Sequence, residues 1–116
     1  MPPITLLHNP RCSKSRQALA LLEERGASVT VRRYLEAPLD EAELRGLIER
    51  LDAPLTALVR TKEAEWKALE ADAGDLEQVV AALLAHPRLL ERPIADDGRR
   101  AVIGRPPEQV LDLLNA

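Results

Sequence analysis

Between residues 4 and 31 two short apolar runs flank a helical pattern, and this constrains the fold more than anything else in the sequence. "ITLL" (Ile4 to Leu7) reads as a buried strand. After the loop "HNPR", a helix is expected to begin at about Cys12 or Ser13. Its apolar positions Ala18, Leu19 and Leu22 follow helical spacing, and Gly26 stands where a left-handed C-terminal residue belongs. "VTV" (Val29 to Val31) then alternates like a second strand. Two strands joined through a helix run parallel, so the chain is committed to an α/β sheet.

The middle of the chain is helical. "LDEAELRGLIERL" opens with Asp40 as N-cap and Glu43 three residues on, a capping box. Leu39 and Leu44 are placed to form a hydrophobic staple, with Leu44, Leu47, Ile48 and Leu51 as the buried stripe. "DLEQVVAALLAHP" repeats the design: Asp75 caps, Gln78 closes the box, and Leu76, Val79, Val80, Leu83 and Leu84 are expected inward before Pro87 stops the helix. Shorter helical pieces are expected around Leu55 to Val59 and Glu63 to Leu69. Further on, Ile94 to Asp96 and Ala101 to Ile103 flank Asp97-Gly98, a hairpin signal. Pro106 and Pro107 suit the first turn of a closing helix with Val110, Leu113 and Leu114 inward. The order βαβ, helices, ββα is that of an α/β thioredoxin-like mixed sheet with a helical insertion at about 38–90. The 116 residues are read as one domain, 1–116.

Composition narrows the function. Net charge is −3, and no basic block interleaved with aromatics occurs, so nucleic acid is not an expected partner. The longest apolar run, Val79 to Ala85, is too short to span a bilayer. The start of the chain carries no signal-type pattern, and a lone cysteine suits a reducing compartment, so a cytoplasmic protein is expected. One cysteine and two histidines without ligand spacing give no metal site, and no Gly-rich phosphate loop is present.

The lone cysteine is the centre of interest. Cys12 stands where the first strand hands over to its helix, where a ligand site is expected, and Arg11, Lys14 and Arg16 surround it. A helix N-terminus and nearby cations both favour the thiolate, and the first-turn amides can hold an anion. Ser13 and Ser15 can donate hydrogen bonds, and His8 can orient the sulfur. The three cations cannot all share one helical face. A lone cysteine also fits as a small buried hydrophobe, but a strand-to-helix loop is a less usual place for one. Arg60, Arg92 and Arg105 form a second set; an arginine fork suits tetrahedral oxyanions, although among 16 basic residues each also reads as a solvated surface group. His86, before Pro87, reads as a helix C-terminal residue directed at carbonyls. Pro93 is preceded by a bond of the type that tolerates cis geometry.

Taken together, "HNPRCSKSR", "ALVR" at 57–60, "HPRLLERPI" at 86–94 and "IGRPPEQVLDLL" at 103–114 resemble the glutaredoxin-coupled arsenate reductase family, from about Ile4 to Leu114. The loop RCSKSR is closest to a less-characterised subgroup. The resemblance implies a thioredoxin-like fold in which Cys12 attacks arsenate, Arg60, Arg92 and Arg105 hold the oxyanion, His8 and Ser15 support the thiolate, and Pro93 is the cis-proline. It implies no bound cofactor, glutathione as co-substrate, glutaredoxin as partner and arsenic detoxification as the role. Two alternatives keep the fold. One is a glutathione-linked thiol reductase for another substrate. The other is a Spx-like regulator binding RNA polymerase, against which the sequence offers Cys12-Ser13-Lys14-Ser15 in place of C-x-x-C.

Overall fold

The computed structural model describes residues 3 to 114. Its elements run β1 (Ile4–Leu7), α1 (Ser13–Glu24), β2 (Val29–Arg32), α2 (Glu41–Arg50), a 3₁₀ turn (Leu55–Leu58), α3 (Ala64–Leu69) and α4 (Leu76–Ala85). A second 3₁₀ turn (Pro87–Leu89), β3 (Ile94–Asp96), β4 (Ala101–Ile103) and a 3₁₀ helix (Pro107–Leu114) complete the order. Among these residues the sheet has four strands in the order β2-β1-β3-β4. β1 and β2 are parallel, while β1–β3 and β3–β4 are antiparallel. This is the thioredoxin-like mixed sheet expected from the element order, with helices between β2 and β3.

Strand alternation sends side chains to two cores. Ile4 and Leu6 of β1, Ala95 of β3 and Val102 of β4 pack with Ala18 and Leu22 of α1 and with Val110 and Leu113 of the closing helix. Leu7, Ile94 and Ala101, one residue out of phase, face Leu44 and Leu47 of α2, Trp66 of α3 and Val79, Val80 and Leu83 of α4. The sheet is therefore covered on both faces, as a strand with alternate residues buried on opposite sides requires. Both strands of the β3–β4 hairpin fall where the sequence places them, and Gly98 takes φ 91° between them. With no phenylalanine in the chain, aliphatic side chains fill most of both cores.

Local signals fix the helix ends. Gly26 (φ 75°) ends α1: its N–H donates to Glu23 O at 3.0 Å, and Ala27 N–H donates to Leu22 O at 3.1 Å, the two bonds of a Schellman motif. The α2 capping box is complete, with Glu43 N–H donating to Asp40 Oδ1 (2.8 Å) and Asp40 N–H to Glu43 Oε1 (3.0 Å). The box expected at α4 is only half formed. Gln78 N–H donates to Asp75 Oδ1 (3.1 Å), but the Gln78 side chain accepts from Asp72 N–H (2.9 Å) in the preceding turn. Leu76 and Leu84, expected inward, are exposed at 42% and 37%. α4 needs only Val79, Val80, Ala82 and Leu83 to cover its share of the core, so the stripe is narrower than its apolar content suggested. The closing segment is a 3₁₀ helix, and the Arg105-Pro106 bond before it is cis.

One glycine couples the fold to the region around Pro93. A Cβ on Gly104 would lie 2.7 Å from Pro93 Cγ and 3.0 Å from Val110 Cγ1, and Gly104 N–H donates to Pro93 O at 2.8 Å. Gly104→Ala is expected to destabilise the fold by about 1–3 kcal/mol through overpacking. Urea unfolding reads this as a lower midpoint; an unchanged midpoint would mean that Pro93 and Val110 yield to the added methyl group.

Candidate active site

The loop between β1 and α1 is built from its own polar groups. Asn9 Oδ1 accepts from Arg11 N–H (3.0 Å), Cys12 N–H donates to Asn9 O (3.0 Å), and Arg16 donates from Nη1 to Pro10 O (2.9 Å). Ser15, fully buried, accepts from Asn9 N–H at 3.0 Å and pairs with His8 Nδ1 at 2.6 Å. His8 is itself buried and continues the β1–β2 ladder by donating its N–H to Arg32 O (2.9 Å). Burial first, then the Arg33 and Arg16 charges, hold the His8 pKa below its usual value. A neutral imidazole can accept the Ser15 hydroxyl proton at Nδ1. The pair thus clamps the loop from one end to the other.

Cys12 is the N-cap of α1, in extended conformation (φ −93°, ψ 123°), and is buried. An N-cap side chain meets the free amides of the first helical turn. Burial is the largest influence on the thiol and pushes its pKa up. The Ser15 N–H, the Arg92 charge, the Lys14 N–H and a hydrogen bond from Arg92 all act the other way, and together they hold the thiol below its ordinary value. The Ser15 backbone thus favours the anion at the sulfur, while its hydroxyl is committed to His8 and Asn9. Of the flanking cations, Arg11 lines the adjoining cavity, Arg16 braces the loop, and Lys14 is exposed.

Arg60 and Arg92 are brought together by a short piece of backbone pairing. Arg60 N–H donates to Leu89 O (2.8 Å) and Glu91 N–H to Leu58 O (2.7 Å), an antiparallel bridge centred on Val59 and Leu90. Both side chains then line one cavity of about 570 Å³ beside the Cys12 loop. Arg60 is paired with Glu63 at 2.5 Å. Arg92 is different: its Nε and Nη1 are buried with no hydrogen-bond partner among the described residues. Buried donors of this kind are costly and suit an anion. Arg92 precedes Pro93, and the bond between them is cis.

Arg105 sits apart from the other two. Its Nε donates to Arg92 O (2.8 Å) and lies 3.0 Å from Glu91 Oε1, and it lines a neighbouring cavity of about 450 Å³. Here Arg105 holds the Arg92 backbone rather than pointing into the space shared by Arg60 and Arg92. His86, expected to face helix carbonyls, sends Nδ1 to within 3.4 Å of Glu65 Oε2, and only its backbone N–H reaches a helix carbonyl, Ala82 O at 2.8 Å. Among the described residues no three His, Cys, Asp or Glu side chains converge as metal ligands, and no helix is long and apolar enough to cross a membrane.

The model of the ArsC family matches residues 7–113 of this sequence. The chain belongs to the ArsC family. An arsenate reductase of Neisseria meningitidis is 43% identical over 117 residues, covering 98% of this chain and 100% of its own. An uncharacterised Escherichia coli protein, YfgD, is 44% identical over 114 residues, covering 96% of each. Among solved structures, an arsenate reductase from Vibrio cholerae superposes with TM-score 0.88 at 40% identity, covering 96% of this chain and 97% of its own.

For this ArsC-family chain, sequence reasoning passed over Tyr34. It is 1% exposed, lines the Arg60–Arg92 cavity, and its pKa is pushed up to about 12, chiefly by burial against the opposing pull of Arg92 and Arg60. It remains a neutral phenol at physiological pH. The available signal was its position: the lone tyrosine follows the C-terminal end of β2, beside the end of β1 that carries the cysteine loop. Arg33, Arg88 and Glu36 line the same cavity and were likewise unassigned.

Two measurements check this account. The pH profile of Cys12 alkylation should have its midpoint below that of an ordinary thiol. Arg92→Gln should move it upward, because losing a cation disfavours the anion; an unmoved midpoint would remove Arg92 from the sulfur. Stability should also depend on His8. The unfolded chain protonates histidine at about pH 6.5, whereas the folded chain resists. The His8 contribution is therefore fully present above that pH and is lost as pH falls toward the lower folded value. In urea titrations, His8→Gln should show a shallower decline than wild type over that range.

Proposed function

We propose that the protein reduces arsenate to arsenite with Cys12 as the nucleophile, drawing its electrons from glutathione and glutaredoxin in the cytoplasm. The observation that carries this reading is the juxtaposition of a thiol held toward its anion with two unpartnered guanidinium donors of Arg92. Family membership and relatives named arsenate reductase support the choice of oxyanion.

The Cys12 thiolate attacks arsenic and displaces hydroxide, which leaves as water after taking up a proton, and an S–As(V) bond forms. Arg92, with Arg60 across the cavity, offsets the charge on the arsenic oxygens as the bond is made. Arg105 acts on this step by holding the Arg92 carbonyl in place. The His8–Ser15 pair keeps the loop shaped so that the first-turn amides meet the sulfur. A glutathione thiolate then attacks the Cys12 sulfur. The S–As bond breaks with its electron pair going to arsenic, which departs as arsenite and leaves a Cys12–glutathione disulfide. A glutaredoxin thiol removes the glutathione and returns Cys12 to the thiolate. With one cysteine in the chain, the oxidising equivalent has to leave on another molecule.

Purified protein supplied with arsenate, glutathione and glutaredoxin should form arsenite. Cys12→Ser should abolish this, and Arg92→Gln should lower kcat/KM by about 10²–10³, the usual effect of losing one charge-stabilising donor. Arsenate should protect Cys12 from alkylation in the wild type. Absence of arsenite, or activity surviving in Cys12→Ser, would sink the proposal. Protection by glutathione but not by arsenate would instead favour a glutathione-linked reductase with another substrate.

A further inference from the structure

The cavity lined by residues 8–11 of the loop that leads into Cys12 is larger and more basic than one oxyanion needs. A water molecule occupies about 30 Å³, and a tetrahedral oxyanion of five heavy atoms takes a few times that. The cavity measures about 570 Å³, in the range that accommodates a molecule of peptide size. Among the described residues its lining carries five arginines against two carboxylates, and His8, also in the wall, is held toward its neutral form.

The cations divide into two groups. Arg92 serves the sulfur, Arg60 is paired with Glu63 at 2.5 Å, and Arg88 with Glu65 at 2.7 Å. The remaining two are unspent. Arg11 has no carboxylate within ion-pair distance among the described residues. Arg33 has only Glu36, at 3.9 Å and with both side chains more than half exposed. Such a contact contributes little in water, and a ligand carboxylate can displace it. Neither residue dangles from a mobile tip: Arg11 is fixed at its backbone by Asn9 Oδ1, and Arg33 directly follows β2 and precedes the buried Tyr34.

We propose that Arg11 and Arg33 form a second anion subsite, which binds the carboxylates of a peptide thiol and so delivers that thiol to the sulfur of Cys12. The ligand class is a short thiol peptide with two carboxylates, glutathione being the example named above. The inference rests on the proposed use of such a thiol, but not on arsenate being the substrate. Its step is thiol–disulfide exchange: the incoming thiolate forms a bond to Cys12 sulfur, and the group already on that sulfur leaves with the electron pair.

The test avoids arsenic. Cys12 is converted with 2,2′-dithiodipyridine to its mixed disulfide, whose leaving group is uncharged. Release of 2-thiopyridone is then followed with glutathione or with glutathione diethyl ester, each rate normalised to the thiolate present. Wild type should react with glutathione about tenfold faster or more, the gain expected when charge-assisted contacts worth about 1.4 kcal/mol are made. The Arg11→Gln, Arg33→Gln double variant should bring the ratio close to one with the diester rate unchanged, which also certifies its fold. A wild-type ratio near one overturns the subsite, as does a preference that survives in the double variant or an equal loss with both thiols. Discrimination without arsenite formation would leave the subsite standing and remove the arsenate reading; arsenite formation without discrimination would do the reverse.

Discussion

The Cys12 thiol is buried and yet held toward its anion, and the arrangement around it follows from how that is done. Burial alone would raise the pKa and silence the thiol. The chain opposes burial with fixed dipoles, the free amides of Lys14 and Ser15, and with one buried guanidinium, Arg92. The amides face the sulfur only if the helix starts immediately after it. That start is set by a loop whose hydrogen bonds run through Asn9, His8 and Ser15. Side chains distant in sequence therefore serve a single aim, a stable anion with little exposure to water.

The topology explains why these groups can meet. β1 ends at Leu7 and delivers the loop at the sheet's edge, while β3 runs antiparallel to it and begins at Ile94, so Pro93 and Arg92 arrive at the same edge. β2, parallel to β1, ends there too and contributes Arg33 and Tyr34. Arg60 comes from the helical insertion and reaches the edge through its pairing with residues 89–91. Three strand ends and one insertion loop make up the site.

Much of this was legible in the sequence because it depends on periodicity and on residues with restricted backbones. Ile4–Leu7, Ile94–Asp96 and Ala101–Ile103 were bounded by their apolar runs and by Asp97-Gly98, and α1 and α2 by Gly26 and the Asp40–Glu43 box. What escaped depended on side-chain choices among several partners. Gln78 prefers the amide of Asp72 to that of its own cap, and His86 prefers Glu65 to a carbonyl. Spacing cannot rank such competing partners. Tyr34 escaped because its place in the site comes from the parallel pairing of β2 with β1, not from any motif around it. Arg105 reads in the sequence as one of a set with Arg60 and Arg92, and the structure places its guanidinium on Glu91 and the Arg92 carbonyl, beside the cavity that the other two line.

The short ladder between residues 58–60 and 89–91 has a consequence for motion. Among the described residues two backbone hydrogen bonds, Arg60 N–H to Leu89 O and Glu91 N–H to Leu58 O, tie the Arg60 loop to the segment that leads into Arg92. Their exchange with solvent deuterium would report release of the Arg60 loop without unfolding of the sheet. Loss of those two bonds would release Arg60 from the cavity it shares with Arg92, while Arg92 and the first-turn amides of α1, which do not depend on them, would keep their places beside the Cys12 thiol.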